Sequence, residues 1–291
     1  MKLTILTENT ANKRGFLAEH GLSVLVEARG RKLLFDTGQS GVYLHNAAAA
    51  GVSLKGLDGI VLSHGHYDHT GGLELFPKDE RIPVFVRESA FYGKYSKGKT
   101  GLRDIGIPWE REAVGHAFHY TGEKEELFDH IYVLGGIKCV VPQEPAPTQF
   151  FVRKGGDRSV ASKEDISLEI SSMELDSMEL DSMEDEQLLV IRLPEGLAVL
   201  AGCAHMGILN CVERVKAAFP GEKLFLLLAG MHLRGCDAKR IQDTITGLKA
   251  AGFTWLIPVH CTGQEAIVRM REAFGDNCLQ GEAGKSFQIP Y

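Results

Sequence analysis

The segment Ser63-His64-Gly65-His66-Tyr67-Asp68-His69-Thr70-Gly71-Gly72 puts three histidines and an aspartate within six residues. Imidazole nitrogens and a carboxylate at this density are ligands for divalent metal ions, zinc first among them. A purely structural role would leave several polar rings to satisfy in one turn. The cluster follows Gly59-Ile60-Val61-Leu62, an apolar, β-branched run that reads as a buried strand. In extended backbone alternate side chains share a face, so His64 and His66 point to one spot. Asp68 and His69 follow on the turn and point to a neighbouring spot. One segment thus offers ligands to two adjacent metal ions.

Other apolar strands end in the same way. Leu33-Leu34-Phe35 runs into Asp36, Ala198 to Ala204 into His205, Leu224 to Met231 into His232, and Trp255 to Val259 into His260. A glycine stands within a few residues of each ending, where it lets backbone approach a ligand closely. If the strands lie side by side, these ends share one edge of a sheet, which is where layered α/β folds bind ligands. Asp36 alone would be a turn or cap residue; beside the cluster it is expected to orient a ligand. His205 and His260 are expected to be metal ligands, whereas His232 could meet substrate or support a ligand.

The positioning elements follow from the same patterns. Strands are expected at Lys2 to Thr7, Leu22 to Glu27 and Lys32 to Phe35, the last two joined by a turn at Ala28-Arg29-Gly30-Arg31. Further strands are expected at Ile82 to Arg87, Ile131 to Leu134, Lys138 to Val141 and Ser286 to Ile289. Leu188 to Leu193 and Leu197 to Leu200 form a hairpin, and Lys223 to Ala229 and Phe253 to Val259 read as strands too. Helices are expected at Tyr43 to Ala50, Leu209 to Phe219, Asp237 to Ala250 (with Asp237 as cap and Gly252 as stop) and Gln264 to Phe274. Strands alternating with helices imply a sheet covered by helices. Trp109 to His130 resists assignment, and its His116, His119 and His130 read as surface or packing residues. Pro142 to Pro147 reads as an extended linker.

Phe91 to Arg103, with Lys94, Lys97, Lys99 and Arg103, reads as a solvated loop; the sharper reading is a mobile cover whose cations attract an anionic substrate. Residues 173 to 183 repeat a five-residue unit, Met-Glu-Leu-Asp-Ser, whose period matches neither helix nor strand. It reads as an exposed acidic loop without chemistry; Asp185-Glu186 behind it could approach the site, but the favoured reading is solvated acids. The 291 residues carry a net charge of −6 and no basic block, which argues against a nucleic-acid partner. Apolar runs are strand-length, so no membrane association is expected, and the N-terminal residues turn polar too soon for a secretory signal. Six cysteines without a C-x-x-C pair argue against a disulfide framework or a structural zinc site, and a cytoplasmic location is the default expectation.

His64-Gly65-His66-Tyr67-Asp68-His69 resembles the H-x-H-x-D-H signature of the metallo-β-lactamase-fold hydrolases, and Asp36-Thr37-Gly38, His205 and His260 fit the order of that family. The resemblance implies an α/β fold, a four-layer αββα sandwich with a two-metal site along one edge. The resemblance covers nearly the whole chain, so a single domain is expected over 1–291, with a variable polar passage at about 88–130 and an acidic repeat loop at about 157–187 that has no counterpart in the family pattern. Within the family, His20-Gly21-Leu22-Ser23, Gly202-Cys203-Ala204-His205, Gly230-Met231-His232 and His260-Cys261-Thr262-Gly263 are similar to the 7,8-dihydropterin-6-methyl-4-(β-D-ribofuranosyl)aminobenzene-5′-phosphate synthase-like subgroup. One departure stands out: Cys203 occupies the place of the aspartate that usually bridges the metals. A thiolate could bridge or bind one ion, but the favoured expectation is a small buried residue, with His205 supplying the ligand.

What the resemblance implies for chemistry is a binuclear hydrolase. His64, His66 and His205 would hold one ion and Asp68, His69 and His260 the other. The two ions would be zinc, with iron or manganese as alternatives. A hydroxide generated between them attacks a phosphoryl or acyl centre. Asp36 would orient a ligand, and His232 and His20 would contact substrate or protonate the leaving group. The expected substrate is a small anionic, phosphorylated molecule, pterin- or nucleotide-like. The rivals are a thioesterase or lactonase on the same site, and a metal-dependent sensor with little turnover.

Overall fold

The computed structural model describes residues 1–78, 81–98, 101–154 and 178–289. Among these, a seven-stranded sheet contains β1 (Lys2–Thr7), β2 (Ser23–Ala28), β3 (Arg31–Phe35), β4 (Gly59–Val61), β5 (Pro83–Val86), β8 (Ala117–Tyr120) and β17 (Ser286–Gln288). A six-stranded sheet contains β9 (Lys124–Phe128), β10 (Ile131–Leu134), β13 (Leu188–Leu193), β14 (Gly196–Ala201), β15 (Leu224–Gly230) and β16 (Trp255–Val259). In the first, β3, β4, β5 and β8 run parallel; in the second, β14, β15 and β16 do.

Strand period explains the layering. Along β15, Leu226 and Leu228 join a core shared with Leu3, Ile5, Val24, Val26, Phe35 and Val61 of the other sheet, so the two sheets pack face to face. The alternate residues Leu227 and Ala229 face a second core. That core is completed by the helices Ile208–Ala218, Ala238–Ala251 and Gln264–Phe274, through Val212, Val215, Ile241, Ile245, Leu248 and Met270. Helix Val42–Ala49 covers the outer face of the first sheet, with Tyr43 and Ala47 against Leu25, Leu34 and Ile60. The result is the expected αββα sandwich. Asp237 caps its helix by accepting from the Arg240 N–H at 2.7 Å, and Gly252 ends it at φ +81°.

Four expectations fail, each for a physical reason. Lys138 to Val141 is not a strand, because the N–H groups of Val140 and Val141 both donate to Asn210 Oδ1 instead of a ladder. Pro142 to Pro147 is more than a linker: buried Glu144 accepts from the Leu209 N–H at 2.7 Å and the Asn210 N–H at 3.2 Å, closing the start of helix Ile208–Ala218. Phe91 to Arg103 is not a solvated loop. It supplies β6 (Gly93–Gly98) and β7 (Gly101–Asp104), which with β11 (Phe150–Arg153) and β12 (Glu179–Leu180) form a third sheet.

The last failure concerns the acids. Lys94 is buried and donates at 2.7 Å to both Asp181 and Asp185, so neither those acids nor that lysine is solvated. Asp181 and buried Met183 belong to the end of the five-residue repeat, while its beginning, 173–177, and most of the acidic loop lie outside the described residues, as does Lys99. His119 pairs with Glu125 at 2.6 Å and His116 packs against Phe76, as surface and packing residues do. His130, half-buried, lies on the turn between β9 and β10.

Candidate metal centre

The parallel strands of both large sheets deliver their C-terminal ends to one rim. Four residues there leave the strands in the left-handed region although none is glycine: Asp36 (φ +58°), Ala204 (+48°), His232 (+47°) and His260 (+52°). Each costs about 1–2 kcal/mol relative to ordinary backbone. Their common function is to turn the chain sharply as it reaches the rim. The nearby glycines answer a different need. A Cβ on Gly65 would sit 2.1 Å from the Ala90 carbonyl oxygen, and one on Gly202 2.1 Å from Ser63 Oγ.

Three histidines from two sheets meet first. His64 Nε2 lies 3.0 Å from His66 Nδ1, and the His205 ring is 4.8 Å from that of His64 and 4.7 Å from that of His66. The second group is Asp68, His69 and His260. Asp68 Oδ2 is 3.3 Å from His260 Nε2 and 3.8 Å from His69 Nε2. Cys203 stands between the groups. Its sulfur is 3.1 Å from His69 Nε2, and it completes donor sets both with His64 and His205 and with His69 and His260, all atoms of each set within 4.8 Å of one another. Cys203 is buried, as expected, and its sulfur also lies within reach of both donor groups.

The supports are as specific as the ligands. Buried Asp36 accepts at 2.7 Å from the Ser63 N–H, from Ser63 Oγ and from His69 Nδ1. Ser63 Oγ also meets His64 Nδ1 at 2.9 Å, so one carboxylate orients a histidine of each group. Glu186 accepts from the His205 and Met206 N–H groups, and Asp185 from the Gly65 N–H at 2.7 Å. Beyond β1, Glu8 accepts from the His260 N–H and Asn9 Oδ1 meets His260 Nδ1, both at 2.8 Å. Asp185 and Glu186 thus take the less favoured of their two readings and approach the site, while Glu8 and Asn9 escape sequence reasoning, although Glu8-Asn9 does follow an apolar strand as the other site residues do.

Electrostatics keep most of the imidazoles neutral. Burial, reinforced by neighbouring rings, drives His64 and His66 well below the ordinary histidine range. Burial likewise takes His205 to about 3, and takes His260 to about 4 despite the opposing Asp68. At His69 burial is outweighed by Asp36 and Asp68, which hold it at about 9. Asp68 stays well below the usual carboxylate range, because His69, His20 and His260 together outweigh its burial. Burial pushes the Cys203 thiol up.

Three buried ring nitrogens, His66 Nε2, His205 Nδ1 and His260 Nε2, have no hydrogen-bond partner. His205 Nδ1 is 3.5 Å from Glu186 and His260 Nε2 is 3.3 Å from Asp68, but neither approach has hydrogen-bonding geometry. Burying such atoms unpaired is unfavourable. Neutral imidazoles with free lone pairs, a thiol and a carboxylate form the donor set of a transition-metal site, so these residues fit a metal pair.

Of the remaining expected residues, His20 Nε2 lies 3.1 Å from Asp68 Oδ2, with its ring 4.8 Å from that of His260, which places it beside the second donor group. His232, lowered to about 4 by burial, lies 4.8 Å ring to ring from His205 and on the wall of a cavity of about 270 Å³ that opens over the ligands. Thus His64, His66, Asp68, His69, His205 and His260 are brought together as expected, with Asp36 beneath them and His20 and His232 at the sides.

Residues 18–141 match the family model described as the metallo-beta-lactamase superfamily. The chain is 28% identical, over 99% of its length and 100% of the relative's, to an uncharacterised protein of Methanocaldococcus jannaschii. It is 27% identical to a 7,8-dihydropterin-6-methyl-4-(β-D-ribofuranosyl)-aminobenzene-5′-phosphate synthase of the same organism, over 98% of this chain and 95% of that one. A crystal structure described as a metal-dependent hydrolase of the β-lactamase superfamily superposes with a TM-score of 0.81 at 29% identity, covering 99% of both chains. Among the described residues, no helix is long and apolar enough to cross a membrane.

Proposed function

We propose, from the premise that this is a metallo-β-lactamase-fold protein akin to metal-dependent hydrolases, that it hydrolyses a small phosphorylated substrate with two divalent ions. His64, His66 and His205 would hold one ion, and Asp68, His69 and His260 the other. Cys203 Sγ is within reach of both sets. The observation that carries this reading is the meeting of two donor groups at one sulfur, with three buried imidazole nitrogens left without partners. Imidazole and thiolate together favour zinc over the harder cations.

When bound, the ions supply activation of water and neutralisation of charge at the reacting centre. The chain's own residues do the rest. Asp36 holds the Nδ1 proton of His69, so the proton that an ion would displace is the one on Nε2, toward the centre. Among the cavity-lining residues Asp68 is the one carboxylate, and an oxygen of it that no ion engages takes the proton that the attacking water gives up. His20, half-exposed and 3.1 Å away, passes that proton to solvent. The water oxygen bonds to phosphorus as the ester P–O bond breaks, and His232 on the cavity wall hydrogen-bonds the departing oxygen.

A second reading, transfer to an organic acceptor in place of water, is favoured by one observation: the synthase name of a relative that spans almost the whole chain. Metal analysis of the purified protein, followed by turnover of bis(p-nitrophenyl) phosphate in ¹⁸O-water, tests both. Two metal equivalents and label in the product phosphate are expected. Metal-loaded protein that hydrolyses only a thioester refutes the phosphoester reading, and protein that takes up no metal refutes the site.

A further inference from the structure

His260 leaves the end of β16 in the six-stranded sheet, yet the two residues that follow β1 of the other large sheet grip it at three atoms. Glu8 Oε1 accepts from the His260 N–H at 2.8 Å, Asn9 Oδ1 meets the ring Nδ1 at 2.8 Å, and Asn9 Nδ2 donates to the His260 carbonyl at 3.4 Å. Buried Glu8 is itself fixed, because its other oxygen accepts from the Thr10 N–H at 2.6 Å and from Thr10 Oγ1 at 2.5 Å. The backbone held in this way is the left-handed one at φ +52°, which a residue with a side chain adopts only at a cost.

The Asn9 amide can face only one way. Its Oδ1 also accepts from the Gly21 N–H at 3.4 Å, while its Nδ2 faces the His260 carbonyl. Turned over, it would set donor against donor at Gly21 and acceptor against acceptor at His260. The atom 2.8 Å from His260 Nδ1 is therefore an acceptor, and the one proton of the neutral ring sits on Nδ1. Nε2 keeps its lone pair. It is buried without a hydrogen-bond partner, and it belongs to donor sets with His69 and Cys203 and with His20 and Asp68. The same amide treats His20 differently. Nδ1 of that ring lies 3.4 Å from Asn9 Nδ2, at the limit of hydrogen bonding, and the ring is half-exposed, so its proton is free to change nitrogen.

We propose that Asn9 is a positioning residue of the second donor group. It holds His260 in the Nδ1–H tautomer, with Glu8 holding the strained backbone, so that Nε2 is presented bare to an ion. The end of β1, which supplies no ligand, thereby sets the affinity for an ion bound at the end of β16. The assignment rests on the metal-centre reading for the ion, but the tautomer is a property of the metal-free chain and is measured there.

In metal-free protein labelled with ¹⁵N-histidine, long-range ¹H–¹⁵N correlation reads which ring nitrogen carries the proton, and a His260→Gln sample identifies the His260 signals. Nδ1–H is expected in the parent and in Asn9→Asp, which keeps an acceptor at that place. Asn9→Leu, similar in size but without polar atoms, is expected to lose the preference for Nδ1. Competition with a chromophoric chelator should show one zinc equivalent about 10–100-fold weaker in Asn9→Leu, and bound more tightly in Asn9→Asp than in Asn9→Leu. Asn9→Ala is read by the same criteria if the leucine variant does not fold. A parent His260 protonated on Nε2 overturns the proposal. So does an Asn9→Leu variant that binds both equivalents as the parent does, or an Asn9→Asp variant as weak as Asn9→Leu. A parent that carries the Nδ1 proton yet takes up no zinc refutes the metal-centre reading and leaves the hold of Asn9 on the ring standing.

Discussion

Replacing Asp36 by asparagine tests the architecture of the centre at its most economical point. The substitution keeps shape, and asparagine tolerates the left-handed backbone at φ +58°. Of the three 2.7 Å contacts, the one to the Ser63 N–H survives on the amide oxygen, and Ser63 Oγ can rotate to accept from the new NH₂. The third cannot survive unchanged. The amide NH₂ now faces His69 Nδ1, and the ring relieves the clash of donors by carrying its proton on Nε2, the nitrogen aimed at Cys203 and the metal. A charge-assisted hydrogen bond of about 1.5–3 kcal/mol is lost, which matches the roughly 10–100-fold weakening seen when an orienting partner is removed. Competitive titration against a chromophoric chelator should show one zinc equivalent weakened by that factor and the other, held by His64, His66 and His205, weakened less. A variant that binds both equivalents as the parent does refutes the orienting role of Asp36.

Three further outcomes follow from other parts of the molecule. With cobalt in place of zinc, the parent should show a thiolate-to-cobalt charge-transfer band that Cys203→Ser lacks; a parent without the band makes Cys203 a bystander. Lys94→Met strands Asp181 and Asp185 as unpaired buried carboxylates and should lower stability by about 3–5 kcal/mol in urea denaturation, whereas a loss under about 1 kcal/mol would show that the acids are solvated after all. The metal-free protein should be most stable close to pH 6.5. His205, His232 and His260 are depressed to about 3, 4 and 4, so their contribution is full above the unfolded value of 6.5 and is lost as pH falls toward their folded values. His69 is raised to about 9, so its contribution is full below 6.5 and is lost as pH rises through 9. Thermal melts in chelator across that range check both limbs, and a melting temperature flat from pH 4 to 7 contradicts the first.

The rim of the sandwich is legible in the chain because its strands are apolar on both faces. A polar ligand directly behind such a run stands out, as His64, His205, His232 and His260 do. The supporting carboxylates are not legible for the opposite reason. Asp185 follows no strand signal, and its burial is decided by Lys94, 91 residues earlier, and by the Gly65 N–H, 120 residues earlier. Charged residues read as solvated until their partners are known. The third sheet is hidden because Gly93 to Asp104 mixes glycine, lysine and tyrosine without alternation, its inner face being a cavity wall and not a core. Lys138 to Val141 misleads in the other direction: an apolar stretch whose backbone is satisfied by the Asn210 side chain instead of a neighbouring strand.

The division of the ligands between the two large sheets has a consequence for the order of events during synthesis. Asp36 and His64 to His69 emerge early, on strands that pair among themselves, but their histidines lack the partners that make a site. His260 follows His64 by about 200 residues, which at ribosomal rates of about 5–20 residues per second means a wait of roughly 10–40 s. In that interval His64, His66, Asp68 and His69 are without the later residues of the centre, Cys203, His205 and His260. On the proposed reading, capture of the ions is therefore a late event, completed when β16 docks beside β15, and what is retained depends on what the finished rim can hold.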